Sequence, residues 1–210
     1  MDCIVFFGIQ GSGKGTQATL LSEALGYCHI NIGDLFRDNA ARGTDIGKQV
    51  EEVIRRGELV SDELVFEVIR QSTSEGCKGI VFDGFPRTPN QAEYLSAHYR
   101  VIQAFFLELS ESTAIARVSA RRVCVSCGEN YNLKTMPPKL ENVCDQCGGV
   151  LSIRQDDRPE AIAKRLKEFY EQTLSLREFF RDQKLLTVIP ADNGIDEIAT
   201  AILARVKELV

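Results

Sequence analysis

The stretch Gly8-Ile-Gln-Gly-Ser-Gly-Lys-Gly-Thr16 sets four glycines and a lysine, with no acid among them, directly behind the apolar run Cys3–Phe7. Glycine loses more conformational freedom on folding than any other residue, so its repetition implies that something comes close to the backbone. A chain of phosphates is the visitor that fits. Successive N–H groups converge on one concavity, the start of the following helix adds partial positive charge, and Lys14 adds a full one. The loop satisfies G-x-x-x-x-G-K from Gly8 to Lys14, but Gly15 stands where a serine or threonine is usual, and the hydroxyl arrives one residue late, at Thr16. Gly11, Ser12, Gly13, Lys14, Gly15 and Thr16 are therefore candidate phosphate-binding residues. The competing reading, a glycine-rich turn with a surface lysine, does not explain the strand before it and the helix pattern after it.

A second apolar segment, Gly79–Phe82, ends in Asp83 and runs into Asp83-Gly-Phe-Pro-Arg-Thr-Pro-Asn-Gln91. An acid closing a buried strand is commonly a cap or turn residue. Beside a phosphate loop it is also placed to hold the water shell of Mg²⁺, an ion that keeps most of its own waters. Gly84 and Pro86 fix an unusual backbone there, and Arg87 presents a planar fork suited to phosphate. The four clustered cysteines, Cys124-x-x-Cys127 and Cys144-x-x-Cys147, are separated by sixteen residues. Two such knuckles, each followed by glycine (Gly128, Gly148), predict a tetrahedral thiolate site for structural zinc, closed and non-catalytic because all four positions are filled. A pair of redox dithiols is the alternative, and a zinc ribbon reading nucleic acid is another, although Val123–Ile153 holds few basic residues and its acids offset them.

These residues need a scaffold. A chain of 210 residues with 44% hydrophobic and 26% charged residues can bury one sizeable core with small inserted lobes. The net charge of −5 offers no basic field for nucleic acid or an anionic membrane. The longest apolar runs are strand-length and the N-terminus lacks a secretory pattern, so neither a spanning helix nor export is expected. The remaining cysteines, Cys3, Cys28 and Cys77, are scattered, and the usage as a whole reads as cytoplasmic. Strand-like segments Cys3–Phe7, Tyr27–Ile30, Gly79–Phe82, Val101–Leu109 and Leu185–Ile189 alternate with helical patterns at Thr16–Leu25, Asp62–Ser72, Ser112–Arg122 and Glu160–Arg181. That alternation predicts an α/β fold with a parallel sheet and crossover helices. Asn31–Val60 and Val123–Ile153 break the pattern and read as insertions on the rim of the sheet. Nothing assigns a catalytic role to His29 or His98, read as a strand-end and a surface residue.

Taken together, the G-x-x-G-x-G-K-G-T-Q loop, Asp83-Gly-Phe-Pro-Arg87 and the distal Asp-Asp-Arg-x-Glu-x-x-x-Lys-Arg-Leu (156–166) resemble the adenylate kinases, in their bacterial form with a long lid, along essentially the whole chain. The resemblance implies a P-loop NTPase core with a five-stranded parallel sheet (1–30, 61–119 and 158–210), a monophosphate-binding lobe (31–60) and a lid carrying the zinc knuckles (120–157). It implies reversible phosphoryl transfer, ATP + AMP giving 2 ADP, with Mg²⁺ and structural zinc as cofactors, ATP, AMP and ADP as the small-molecule partners, no nucleic acid, no membrane and a monomeric enzyme. By the same resemblance the catalytic residues are Lys14, Arg87, Arg121, Arg154 and Arg165. ATP is bound by the loop residues with Arg117, Arg121, Asn130 and Tyr131. AMP is bound by Ile32, Arg37, Glu58, Leu59, Val60, Gly84, Phe85, Pro86, Arg87, Gln91, Arg154 and Arg165. Asp83 serves Mg²⁺ through water, and Asp156 and Asp157 are expected to pair with arginines. Two positions depart from the family pattern: Gln10 replaces a proline, and Ile32 replaces a threonine that meets the adenine of AMP, which leaves Gln91 as the principal base reader. Rival readings are a UMP/CMP kinase, an AMP kinase using GTP, and a nucleotide-binding regulator without turnover.

Overall fold

In the computed structural model, which describes residues 1–73 and 76–209, the first strand, β1 (Asp2–Gly8), is buried from Cys3 through Gly8. Its side chains alternate between two cores. Cys3, Val5 and Phe7 enter one and Ile4 and Phe6 the other, as the two-residue period of a strand demands. A strand buried on both faces belongs in the middle of a parallel sheet. β1 is indeed the central strand. With β2 (Cys28–Asn31), β3 (Ile80–Asp83), β4 (Arg100–Glu108) and β8 (Leu186–Pro190) it forms a five-stranded sheet in the order β2-β3-β1-β4-β8, every pair parallel. The intervening strands β5 (Arg121–Cys124), β6 (Asn130–Asn132) and β7 (Leu151–Ser152) form a separate three-stranded antiparallel sheet, ordered β6-β5-β7. All five strands expected from the sequence are present, each within a residue of its predicted bounds.

Helices α1 (Lys14–Leu25) and α9 (Ile195–Lys207) cover one face of the main sheet, burying Leu21, Ile198 and Ile202 against Ile4, Phe6 and Phe105. The other face takes α4 (Asp62–Ser72), α5 (Pro89–His98) and α8 (Leu176–Asp182), with Leu95, Leu176 and Phe180 fully buried. Each such side chain contributes about 1.5–3 kcal/mol of transfer free energy. The chain leaves β1 toward β2 on one side and later crosses from β3 to β4 on the other, so the loops after β1 and β3 part at the C-terminal edge of the sheet, where α/β folds bind ligands. Residues 31–60 add no strand beyond Asn31. They fold as α2 (Ile32–Ala41), capped by the Asn31 side chain, and α3 (Asp45–Arg55), capped by Thr44.

Three expectations change. The pattern read as one helix at 160–181 divides into α7 (Pro159–Glu168), a wider π-type turn at Phe169–Thr173, and α8. The turn buries Phe169 and brings the Thr173 hydroxyl to the carbonyl of Arg87, 2.9 Å away. The pattern at 112–122 stops earlier, as α6 (Glu111–Ser119), because Arg121 already pairs with Asn132 in the small sheet. Cys28 and Cys77, read as scattered, are joined in a disulfide across 49 residues, with Cα atoms 5.6 Å apart. The pairing follows from the sheet: Cys28 opposes Ile80 on the neighbouring strand, and Cys77 lies in the turn leading into that strand.

Candidate active site

The loop between β1 and α1 is built around its own lysine. Gly13, left-handed at φ 91°, is the N-cap of α1 and has no side chain to offer the first-turn amides, which leaves them for an anion. The Lys14 ammonium turns back and donates to the carbonyls of Gly8 (2.9 Å) and Ile9 (2.8 Å). Burial lowers its pKa from 10.5 to about 7; Arg87, Arg165 and Arg121 push the same way, while Asp83 opposes them. The glycine at 15 also has a reason. A Cβ there would lie 3.2 Å from Oδ2 of Asp83, so a larger residue would crowd the carboxylate against the loop. Asp83 itself is 4% exposed and accepts from the Asn31 amide, with Nε2 of His29 3.8 Å away. Gln10 donates to the carbonyl of Ile162 on α7, 3.0 Å away.

A cleft open to solvent lies beside this loop. One end is apolar, lined by Ile32, Phe36, Ile54, Leu59, Val60 and Val65, with the carboxamide of Gln91 as a polar group. The other end presents Arg37, Arg87 and Arg165 beside Asp156, and Glu58 and Gly84 line the wall. A second cavity, holding Lys14, Gly8 and Pro86, shares Gly57, Leu59, Gly84, Arg87 and Arg165 with the first. The two therefore meet at two arginines. Thr88 caps α5 by accepting from the N–H of Gln91, with Pro89 at the first helical position, so the local sequence fixes where Gln91 begins its turn.

Three of the arginines, Arg121, Arg165 and Arg37, meet acids from one short segment. Arg121 makes a two-pronged pair with Asp157, which is 5% exposed, and Arg165 donates to Asp156 at 3.0 Å. Arg37 lies 3.6 Å from Asp156 and also pairs with Asp34. Arg154 donates to Asn130 at 2.7 Å. Burial works to raise the Asp156 pKa, but Arg165, Arg37, Arg121 and Arg154 outweigh it and hold the carboxyl below its usual range. Burial works against the charge on Arg121, and the bond to Asp157 outweighs it. Arg87 has no acid in ion-pair contact among the described residues. It donates to the Gly84 carbonyl at 2.8 Å, and burial together with Arg165 lowers its pKa to about 10.

In the small sheet, Cys124, Cys127, Cys144 and Cys147 bring their Sγ atoms within 4.8 Å of one another. Two of the separations are 3.5 Å (Cys124–Cys147) and 3.6 Å (Cys127–Cys144). A zinc ion with Zn–S bonds of about 2.3 Å requires an edge of about 3.8 Å, so the donor set and its spacing fit a tetrahedral ion with little adjustment. The Ser126 N–H points at Cys124 Sγ, 3.4 Å away.

Of the residues singled out from sequence, Lys14, Ile32, Arg37, Glu58, Leu59, Val60, Gly84, Pro86, Arg87, Gln91 and Arg165 line the two joined cavities, while Tyr131 and Phe85 are buried elsewhere. Tyr131, expected at ATP, is buried in the cysteine cluster, where its hydroxyl accepts from the Asp145 N–H (2.7 Å) and touches Cys144 Sγ (3.5 Å). That hydroxyl is the leading cause of the Cys144 thiol's fall to about 6. Phe85, expected at AMP, is fully buried against Phe82 in the core, leaving its neighbours Gly84 and Pro86 at the cavities. Arg117, also expected at ATP, donates to the carbonyl of Ala191 at 2.9 Å. Asp62, which grips Gln91, was not foreseen.

With this geometry in view, comparison with known proteins is direct. The family model described as "Adenylate kinase" matches residues 6–185. The adenylate kinase of Thermosipho melanesiensis is 38% identical over 207 residues, covering 95% of this chain and 97% of the relative. That of Thermotoga maritima is 38% identical over 211 residues (97% and 96%), and that of Methanocella arvoryzae 39% over 212 residues (98% of each). A phosphate loop and an arginine-ended cavity on a five-stranded parallel sheet, in a chain matched almost end to end by such relatives, make it a member of the adenylate kinase family of phosphotransferases.

Proposed function

We propose that the chain catalyses ATP + AMP ⇌ 2 ADP. The observation that carries this reading is the pair of cavities that meet at Arg87 and Arg165, one holding the Lys14 loop and the other ending in an apolar slot with a carboxamide. ATP phosphates lie on the loop amides and Lys14. AMP lies with its base among Ile32, Leu59, Val60 and Gln91 and its phosphate at Arg37 and Arg87. Arg121, Arg154 and Arg165 neutralise the transferring group, each released from an acid or amide partner that it holds in the free chain. The attacking oxygen belongs to a phosphate that is already anionic, so no general base is needed. Alignment and charge neutralisation are the chemistry.

Mg²⁺ brought with ATP would screen the phosphates, and Asp83, ending β3 against Gly15, would hold its water shell. The segment 120–157 acts as a lid that excludes water. Zinc on the four cysteines would staple this lobe, whose hydrophobic cluster, Cys124, Tyr131, Cys144 and Leu151, is too small for a core of its own. Residues 31–60 form the AMP-binding lobe, and the remainder is the core. The enzyme acts as a monomer in the cytoplasm, and no helix among the described residues is long and apolar enough to cross a membrane. A coupled assay with AMP, CMP, UMP and GMP as acceptors and ATP or GTP as donor tests the assignment. AMP with ATP should give the highest kcat/KM, and CMP or UMP surpassing AMP would replace it with a pyrimidine kinase.

A further inference from the structure

Gln91 is 2% exposed, and both ends of its carboxamide are already engaged. Oε1 accepts from the backbone N–H of Arg87 at 2.8 Å, and Nε2 donates to Oδ1 of Asp62 at 2.7 Å. A backbone N–H can only donate and a carboxylate can only accept. Of the two amide orientations, alike in shape, one satisfies both partners, and the other sets donor against donor and acceptor against acceptor. Asp62 is in turn fixed from the same turn of α5. Its Oδ2 accepts from Asn90 Nδ2 at 2.6 Å, and the Thr88 hydroxyl lies 3.3 Å from Oδ1. Among the described residues, each side chain bonded to this carboxylate donates to it.

The locked amide has one lone pair on Oε1 and one N–H on Nε2 left to offer the cavity it lines. That pair matches a base edge on which a ring nitrogen acceptor adjoins an exocyclic amino donor, as in adenine. A 6-oxo purine presents the reverse, a ring N–H beside a carbonyl, and needs the amide flipped. The base cannot simply turn over to compensate, because the phosphate at the arginine end and the ribose between them fix which side of the ring meets which side of the amide.

We propose that Asp62 is a positioning residue for acceptor selection. By taking one N–H of Gln91 it fixes the amide's orientation, so that the pocket accepts amino-bearing monophosphates and rejects their oxo counterparts. This rests on Gln91 being the base reader, and the experiment separates the two claims. AMP and IMP differ only in this edge, so the readout is the ratio of their kcat/KM values. Asp62→Asn, which can present either an acceptor or a donor to Gln91, should lower the AMP/IMP ratio about tenfold, through the KM for IMP, with the KM for ATP unchanged. Asp62→Glu, still an acceptor, should restore most of the ratio. Asp62→Ala provides a second test should the asparagine variant fold poorly, with thermal melts run on all three. If the Asp62 variants lose AMP and IMP activity in equal proportion, Asp62 is merely structural and the proposal fails. If Gln91→Ala collapses the ratio while Asp62→Asn keeps it, Gln91 reads the base but Asp62 does not set it, and this proposal alone is overturned. If Gln91→Ala leaves the ratio intact, the base-reader assignment itself is wrong and the proposal falls with it.

Discussion

Nucleotide binding should draw a proton into the active site, and the lysine of the phosphate loop sets the amount. Lys14 is held at a pKa of about 7 by burial and by three arginines, against 10.5 for an ordinary lysine. The sign follows directly: above pH 7 the free protein holds a neutral amine, whose two N–H groups suffice for the Gly8 and Ile9 carbonyls. Phosphate favours the ammonium, so binding restores the charge. At pH 8 only about a tenth of the free protein is protonated, and binding should take up about 0.9 proton; at pH 6 the uptake should fall to about 0.1. Affinity should weaken about fivefold from pH 7 to pH 8 and further to pH 9, a window in which the nucleotide's own terminal phosphate (pKa about 6) no longer titrates. Calorimetry with a non-transferable ATP analogue, in buffers of different ionisation heat, measures the uptake. Lys14→Arg, whose guanidinium stays charged, should abolish it. Uptake below about 0.2 proton at pH 8 would refute the reasoning, because the lysine would then be fully charged in the free protein despite its surroundings.

Protein purified without chelator should hold one zinc per chain, and Cys144→Ala should lower the thermal midpoint more than the specific activity of the enzyme that remains folded; loss of activity at unchanged stability would contradict a closed structural site. Arg87→Ala should raise the acceptor KM and lower kcat by about a hundredfold, and near-normal kinetics would remove this residue from the site. Reducing the Cys28–Cys77 bond, which closes 49 residues of chain, should cost up to about 4 kcal/mol in chain entropy. An unshifted denaturant midpoint on reduction would mean that the hydrogen bonds between β2 and β3 already restrain this segment.

Features that depend on one short stretch were legible in the sequence. The buried first strand, the glycine-rich phosphate loop and the cysteine knuckles each follow from a few adjacent residues. The pairing of Asp156 and Asp157 with arginines was also expected, from the match of Asp156-Asp157-Arg158 to the hinge end of the family's lid. Contacts made across the fold were not legible. The wide turn at Phe169–Thr173 is held by a bond from Thr173 to Arg87, and Asp62 meets Gln91 across 29 residues. Nothing in either segment reports the other. Tyr131 is a different kind of miss, since a local signal existed. Asn130-Tyr131-Asn132 alternates polar, aromatic, polar, the pattern of a strand with one buried face, and the structure places the aromatic ring on that face, within the cysteine cluster.

The electrostatics of the free cleft indicate where nucleotide binding gains most. Arg121, Arg165 and Arg37 are in ion pairs with Asp156, Asp157 or Asp34, so each must give up one partner to gain another. The two aspartates thereby keep a crowded positive site from destabilising the fold while it is empty, at the expense of part of each arginine's attraction for phosphate. Lys14 and Arg87 differ. Neither has an ion-pair partner among the described residues, both rest on backbone carbonyls of their own loops, and both have pKa values lowered by burial, to about 7 and about 10. A phosphate arriving at either site displaces no carboxylate; at Arg87 it relieves a charge already desolvated, and at Lys14 it restores one that burial suppresses. One lies on the loop between β1 and α1 and the other where the two cavities join. Within the cleft, Lys14 and Arg87 are thus the groups where an anion gains without first breaking an ion pair, Arg87 as a standing cation and Lys14 by taking up a proton above pH 7.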